Sequence, residues 1–241
     1  MRLRKSSATT LALAAAAPES LTGEWFHSEY WQAQDRISGS SFGRYTTWFF
    51  RPPQSQSDWV LRHYWRGGLM EKFSKDAYFY TGLERTRALA ELRLLEQLYS
   101  EGLPVPKPIA ARIIRKGLWY SADILIERIE DCVDLVAFLE QHPMTAEQWC
   151  QLGSTLARFH RRGVYHADLN AKNILIGNGE FYLIDFDRGE LRTPASQWQQ
   201  SNLDRLLRSF NKEKGKQAGL HFSPENWQQL LAGYQAGMGQ G

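Results

Sequence analysis

Asp168, Asn173 and Asp185 are of the types, and at the spacing, that moving a phosphoryl group requires. The first two lie in the run Tyr165-His-Ala-Asp-Leu-Asn-Ala-Lys-Asn-Ile174, and the third closes the apolar run Leu183-Ile184-Asp185. Phosphoryl transfer asks a protein for little covalent chemistry; it asks for positioning and for neutralisation of developing charge. One carboxylate near the attacking hydroxyl, with an amide and a second carboxylate on the metal that accompanies a triphosphate, meets that need. In chain order those groups are Asp168, Asn173 and Asp185, so the residues predict a phosphotransferase that uses ATP and Mg²⁺.

The run fits the kinase pattern H-R-D-x-x-x-x-N at His166, Asp168 and Asn173, with Ala167 in the arginine position. An H-x-D triplet is common by chance, so the weight falls on its surroundings. Asn173 to Gly177 is an apolar run, Asn178-Gly179 is a strong type I′ turn signal, and Glu180 to Ile184 makes the returning strand. Such a hairpin carries Asp185 back beside Asn173, so both can face one metal–phosphate cluster. The bland alternative is a surface hairpin with ordinary turn residues. Asp168 is expected to accept or orient the acceptor hydroxyl's proton. Asn170 stands where protein kinases use lysine, and a neutral amide there suits a sugar or small-molecule acceptor better than a peptide. His166 is expected to brace the loop.

The elements that must position these groups divide the chain. Ile37 to Gly43 reads as a glycine-bearing loop, Arg44 to Phe50 as a strand rich in threonine and aromatics, and Asp58 to Tyr64 as the next strand. Residues 84–100 carry apolar positions at Leu92, Leu95 and Tyr99, a helical stripe ended by Gly102 and the prolines at 104, 106 and 108. Leu118 to Ile129 reads as one or two strands. Asp134 to Gln141 predicts a short helix, and Thr145 to Arg162 a longer one with a Thr145/Gln148 capping box and Gly163 as its stop. Asn202 to Phe210 and Pro224 to Tyr234 are further helices, and the tail from Ala236 has a disordered composition. The layout is α+β and two-lobed, protein-kinase-like: a variable segment 1–24, a strand-rich N-lobe with one long helix over 25–128, and a helical C-lobe over 129–241, with a hinge near 125–131.

A phosphate-covering loop should precede the first strands, and Gly39, Ser40, Ser41 and Gly43 are its candidates, offering backbone and hydroxyl donors; a plain hairpin turn is the alternative. A cation should follow to hold the α- and β-phosphates. Arg62, in Val-Leu-Arg-His, occupies the place of the lysine in Val-Ala-Ile-Lys. Arginine can grip a phosphate bidentately, though the exchange is not neutral. Its partner on the long helix is Glu91 or Glu96, with Glu91 preferred. Glu127, at the hinge, completes the ATP-binding set.

These segments together resemble a known family. Gly43-Arg-Tyr-Thr-Thr-Trp-Phe49, Leu61-Arg-His-Tyr-Trp-Arg-Gly-Gly68, Gly102-Leu-Pro-Val-Pro106, the catalytic run and Ile184-Asp-Phe-Asp-Arg-Gly189 resemble the 3-deoxy-D-manno-octulosonic acid (Kdo) kinases of Gram-negative bacteria, over about residues 25–235. The resemblance implies ATP-dependent phosphorylation of the 4-hydroxyl of Kdo on a lipid A precursor. It also implies peripheral attachment to the cytoplasmic face of the inner membrane, with Arg66, Lys72 and Lys75 as first candidates to meet the substrate's phosphates. Asp187 replaces the glycine of Asp-Phe-Gly, and no Ala-Pro-Glu segment precedes the last helices; both features separate the chain from protein kinases. Tyr45 stands where the family is expected to have glycine, and Lys172 where histidine is common. The same catalytic run also occurs in lipopolysaccharide heptose kinases and in aminoglycoside or choline phosphotransferases. An inactive kinase-like scaffold that binds lipid A is the alternative of another class.

Composition sets the outer bounds. At 241 residues with 43% apolar and 23% charged residues, the chain can bury a large core, and it has no apolar run of the ~18 residues a membrane span needs. A net charge of only +3 and the lack of a recognised motif argue against nucleic-acid binding. Cys132 and Cys150 lack metal-ligand spacing and are expected to be reduced packing residues of a cytoplasmic protein. The Ala-rich N-terminus is read as a short strand or disordered tail in preference to a signal peptide.

Overall fold

The computed structural model describes residues 1–42, 46–53, 55–65 and 76–239. Chain contacts separate two units, Met1–Glu101 with Pro106–Glu130, and Gly102–Val105 with Asp131–Gly241. The short Gly102–Val105 segment belongs to the second unit because Leu183 N–H donates to Pro104 O at 3.0 Å and Arg158 donates to Gly102 O at 3.1 Å.

The first unit is a twisted antiparallel sheet with its helices. In chain order it contains β1 (Arg2–Ser6), β2 (Thr9–Leu13), a 3₁₀ turn at Gly23–Phe26, α1 (Ser28–Gln32), β3 (Ile37–Phe42), β4 (Thr46–Phe50), β5 (Trp59–His63), β6 (Tyr78–Phe79), α2 (Arg87–Ser100), β7 (Pro108–Lys116) and β8 (Trp119–Glu127). The strands run in the order β1-β2-β7-β8-β5-β4-β3, with β6 also pairing β8. Four features differ from the sequence expectation. Of the two readings of the N-terminus the strand holds and the tail does not, and there are two strands in a hairpin: Thr9-Thr-Leu-Ala-Leu13 pairs with β7 and buries Leu13 completely. Strand β7 is masked in the sequence by its prolines, yet Pro108 is its first residue, a place where a missing N–H is tolerated. Gly39, Ser40 and Ser41 lie within strand β3, opposite Phe49, Trp48 and Thr47, with Gly39 at an irregularity of the register. On α2 the buried stripe is Ala88, Leu89, Leu92, Leu95 and Leu98, while Tyr99 points outward.

An aromatic cluster of Trp25, Phe26, Trp31, Phe50 and Trp59 packs the sheet against the 3₁₀ turn and α1, with Trp31 stacked on Phe50 at 4.2 Å. Each such side chain contributes roughly 1.5–3 kcal/mol by leaving water. Arg112 anchors the same segment: it donates to Asp123 at 2.8 Å and to Phe26 O at 3.1 Å, and Asp123 in turn meets His63 Nδ1 at 2.6 Å.

The second unit contains β9 (Val133–Asp134), α3 (Leu135–Gln141), α4 (Ala146–Arg162), β10 (Val164–Tyr165), β11 (Ile174–Gly177), β12 (Glu180–Leu183), β13 (Glu190–Leu191), α5 (Ser196–Lys216) and α6 (Pro224–Met238). Local chemistry fixes its boundaries. Asp134 caps α3, and Thr145 and Gln148 cap α4 reciprocally. Gly163 ends α4 at φ 85°, a left-handed conformation that glycine adopts without steric cost. A second capping box, Ser223 with Asn226, starts α6. Helix α5 is longer than its apolar stripe suggests, because its first turn is glutamine- and serine-rich. Helix α6 continues past Ala236, where composition predicts disorder, because Gly237 is buried against Ala157 and Ser154 of α4. Both cysteines are free thiols.

Candidate active site

The hairpin β11–β12 has the expected form. Asn178 and Gly179 take φ 52° and 75°, as a type I′ turn requires, and Ile174 pairs with Leu183. Ile184 N–H donates to Asn173 O at 3.0 Å, so Asp185 leaves the returning strand next to Asn173. Asp185 adopts φ 62°, rare for a residue with a side chain. Such strain of about 1–3 kcal/mol persists only where the surroundings over-determine it. The surroundings here are Phe186, wholly buried between His166 and Phe159, and a turn closed by Gly189 N–H on Phe186 O at 2.7 Å.

Asp168 sits on a loop whose polar atoms are cross-tied. Asp168 N–H donates to His166 Nδ1 at 3.2 Å, and His166 Nε2–H donates to Ile184 O at 3.0 Å. His166 is therefore the neutral Nε2–H tautomer linking the loop to the strand that carries Asp185. Burial pushes its pKa down, with the Ile184 carbonyl and the two aspartates opposing. Asn170 accepts from the N–H groups of Lys172 and Asn173 and donates to Asp168 O and to its carboxylate. The structure thus gives Asn170 a positioning place, holding the loop and steadying Asp168. Asn173 Nδ2 donates to Asp168 O at 3.0 Å, which fixes the amide's orientation and leaves its Oδ1 with no donor among the described residues.

Helix α5 supplies contacts that sequence reasoning missed. Asn202 pairs with both backbone groups of His166, Ser209 accepts from Ala171 N–H at 2.9 Å, and Arg205 donates to Asp168 Oδ1 at 2.7 Å. Asn202, Arg205 and Ser209 fall at helical spacing on one side of α5. A polar i, i+3, i+7 stripe is the signal that marks them, and it lies outside the apolar periodicity by which the helix is recognised.

In the first unit Arg62 Nη2 donates to both Glu91 oxygens at 2.6 Å, and Tyr64 Oη donates to the same carboxylate. Glu91 is 2% exposed, so it lies on the buried face of α2 and not beside it. Glu96 instead accepts from Ala15 N–H at 2.8 Å. Glu127 pairs with Lys107 at 3.3 Å. Gly39, Ser40 and Ser41 are strand residues paired with β4, and not the loop that their turn-type composition suggests. Adding a Cβ at Gly39 meets only Phe49 at an ordinary 3.5 Å. Gly43, Tyr45, Arg66, Lys72 and Lys75 lie outside the described residues.

The fit of a magnesium ion can be judged from the donors. Among the described residues no three His, Cys, Asp or Glu side chains converge. Mg²⁺ on a nucleotide does not need them, since one or two protein oxygens beside the phosphates suffice. The Asn173 Oδ1 and the Asp185 carboxylate are hard oxygen donors of that kind.

Behind the loop, α4 carries His160, 2% exposed, with Nδ1 2.9 Å from Tyr234 Oη of α6. Burial lowers its pKa to about 4, against an opposing hydrogen bond from Asn202. The folded state therefore binds fewer protons than the unfolded chain between the ordinary value of 6.5 and about 4. Stability from this group is full above pH 6.5 and falls as pH drops through that window, by up to ~3 kcal/mol. Urea midpoints measured from pH 7.5 to 4.5 should decline, and His160→Gln should flatten the decline. An unchanged slope in the variant would remove His160 from the account.

Comparison with known proteins gives consistent relatives. The sequence model of the lipopolysaccharide kinase (Kdo/WaaP) family matches residues 28–234. A 3-deoxy-D-manno-octulosonic acid kinase of Mannheimia succiniciproducens is 49% identical over 221 residues, covering 88% of this chain and 90% of its own length. Enzymes of the same name from Vibrio vulnificus and Haemophilus influenzae are 47% and 45% identical, each over 88% of this chain and over 88% and 90% of their own lengths. Among solved structures, WaaP in complex with acyl carrier protein aligns over 94% of this chain and 88% of its own, with a TM-score of 0.56 and 14% identity, a likeness of fold. The fold is α+β and protein-kinase-like.

Proposed function

The chain belongs to the lipopolysaccharide kinase (Kdo/WaaP) family, and from that premise we propose that it transfers the γ-phosphate of ATP to the 4-hydroxyl of Kdo on a lipid A precursor. The observation that carries the chemistry is the meeting of Asp168, Asn173 and Asp185 across one cross-tied loop and hairpin.

In this reading Asp168 orients the acceptor hydroxyl and takes its proton as the bond to phosphorus forms. His166 and Asn170 hold Asp168 in place through its N–H, its carbonyl and its carboxylate. Asn173 and Asp185 would hold Mg²⁺, which supplies charge neutralisation at the phosphate oxygens when bound. Arg62 contacts the α- and β-phosphates, and the Glu91 carboxylate keeps its guanidinium extended. Transfer of labelled γ-phosphate tests the reading, with Kdo-lipid A precursor, heptosylated core, an aminoglycoside and a generic protein as parallel acceptors. Label on the Kdo lipid is expected. Label on heptosylated core alone would keep the mechanism and overturn the substrate, and ATP binding with no label anywhere would favour a scaffold.

Peripheral membrane attachment belongs to the same proposal. No helix among the described residues is long and apolar enough to cross a membrane. Phe79 and Trp119, paired across β6 and β8 with rings 5.9 Å apart, are 55% and 43% exposed, and Leu118 beside them is 63% exposed. Arg115 and Lys116 flank this apolar tip, a combination suited to an anionic bilayer surface. Co-sedimentation with phosphatidylglycerol vesicles at low salt is expected, and Leu118→Glu with Trp119→Glu should reduce it severalfold. Equal sedimentation of the double variant would move the contact elsewhere.

A further inference from the structure

A cleft of about 460 Å³ opens beside Asp168, within the second unit. That is a size at which small-molecule sites occur. Asp168, Asn170 and Lys172 of the loop form one side, and Arg205, Arg208 and Lys212 of α5 form the other. The three α5 cations stand at i, i+3 and i+7 and so share one face of the helix. The opposite face, Leu203, Leu206 and Phe210, is buried. The cationic face is also held at a fixed place: Asn202, Arg205 and Ser209 all bond to the catalytic loop.

The charges in this cleft do not balance. Arg205 is taken by Asp168 at 2.7 Å, and Lys172 approaches Glu213 at 3.8 Å. Arg208 and Lys212 have no ion-pair partner within 4.0 Å among the described residues, and both are exposed. Like charges three and four residues apart on a helix repel and destabilise it slightly. The helix dipole rewards cations only in the last turn, where Lys214 and Lys216 already lie. The acids of the same helix, Asp204 and Glu213, come within 4.0 Å of neither Arg208 nor Lys212, although Glu213 feels the charge of Lys212. Four cations against the two carboxylates of Asp168 and Glu213, next to the proposed base, are what an anionic acceptor requires.

We infer that Arg208 and Lys212 bind an anionic group of the acceptor and thereby set which hydroxyl meets Asp168. The inference rests on the proposed function, and the relatives' substrate, an octulosonic acid, carries a carboxylate on the same sugar as the accepting hydroxyl. A carboxylate held by a guanidinium and an ammonium fixes the sugar at two points, leaving one hydroxyl over Asp168. The phosphates of lipid A present the same chemistry from farther away.

The test is steady-state kinetics of Arg208→Gln, Lys212→Gln and the double variant, varying acceptor and ATP separately. Removing a charged hydrogen bond costs about ten- to a hundredfold in affinity, so acceptor kcat/KM should fall by that factor with the KM for ATP unchanged. Three acceptors separate the sources: Kdo-lipid A precursor, the same compound with the Kdo carboxylate converted to a carboxamide, and the compound stripped of lipid A phosphates. With the carboxylate as the ligand, wild type and variants should handle the carboxamide equally badly, and the dephosphorylated acceptor should still report the full loss. A variant defect that vanishes only on the dephosphorylated acceptor assigns the cations to the lipid phosphates and overturns the carboxylate. An unchanged acceptor kcat/KM, or a raised KM for ATP, overturns the inference while leaving the kinase reading intact. A wild-type enzyme that labels no Kdo acceptor overturns both. Because the substituted side chains are exposed, thermal midpoints close to wild type should accompany every variant.

Discussion

Replacing Asp168 by alanine should lower kcat for phosphate transfer by roughly 10²–10⁴-fold, the usual worth of a positioned general base. The KM for ATP should change little, because no nucleotide group is assigned to this side chain. Its carboxylate is half-exposed and its strong contacts run to Arg205 and Asn170, so folding should survive. Asp168→Asn keeps the shape and loses the proton acceptor, and it should be nearly as slow as the alanine variant. A different pattern is expected at His166. That ring is buried and spans Asp168 N–H and Ile184 O, so His166→Ala leaves both backbone groups without their partners, a cost of about 1–3 kcal/mol for each one that stays dry. His166→Ala should therefore lose both kcat and thermal stability, where Asp168→Ala loses only the first. Retention of more than a tenth of wild-type kcat in Asp168→Ala would remove Asp168 as the base.

The parts of this site that can be read from the sequence are those encoded by short-range rules. The type I′ turn at Asn178-Gly179 fixes the β11–β12 register, and register places Asp185 beside Asn173 without further information. The capping residues of α3, α4 and α6 are likewise local. The Arg62–Glu91 pair is reachable by order along the chain because α2 is the one long helix among the described residues before Glu130. What escapes depends on tertiary packing. Gly39 to Ser41 carry turn-type residues, yet pairing with β4 draws them into a strand. Strand β7 is buried on both faces from Pro108 to Ile113, so its first half lacks the alternation that betrays a strand. The loop-binding residues of α5 are polar, and nothing in Gln-Ser-Asn-Leu-Asp-Arg shows that Asn202 will meet the backbone of His166 thirty-six residues away.

The other large effect concerns glycines that carry no chemistry. Gly233→Ala and Gly153→Ala should each destabilise the second unit by at least ~3 kcal/mol, the upper range for an overpacked core. Helices α4 and α6 approach so closely that a Cβ on Gly233 would lie 1.9 Å from the carbonyl oxygen of Cys150, and one on Gly153 would lie 1.9 Å from that of Leu230. Both obstacles are backbone, which no rotamer change can move, so the helices must separate. Separation would also disturb what α4 delivers. His160 bonds Tyr234 across the same contact, and Gly163 at the end of α4 leads into the loop that carries Asp168. The loss should therefore appear as a lower thermal midpoint, by about 2–4 °C per kcal/mol, and as reduced activity at temperatures where the protein still folds. Gly153 and Gly233 relieve one crossing from opposite sides, so the double variant should cost less than the sum of the two. Gly215, in α5, supplies the contrast. A Cβ added there would have nothing within 4 Å, and Gly215→Ala should stabilise the helix by up to ~1 kcal/mol through propensity alone. Equal midpoints for Gly215→Ala and Gly233→Ala would mean that α4 and α6 do not meet as closely as their glycines allow.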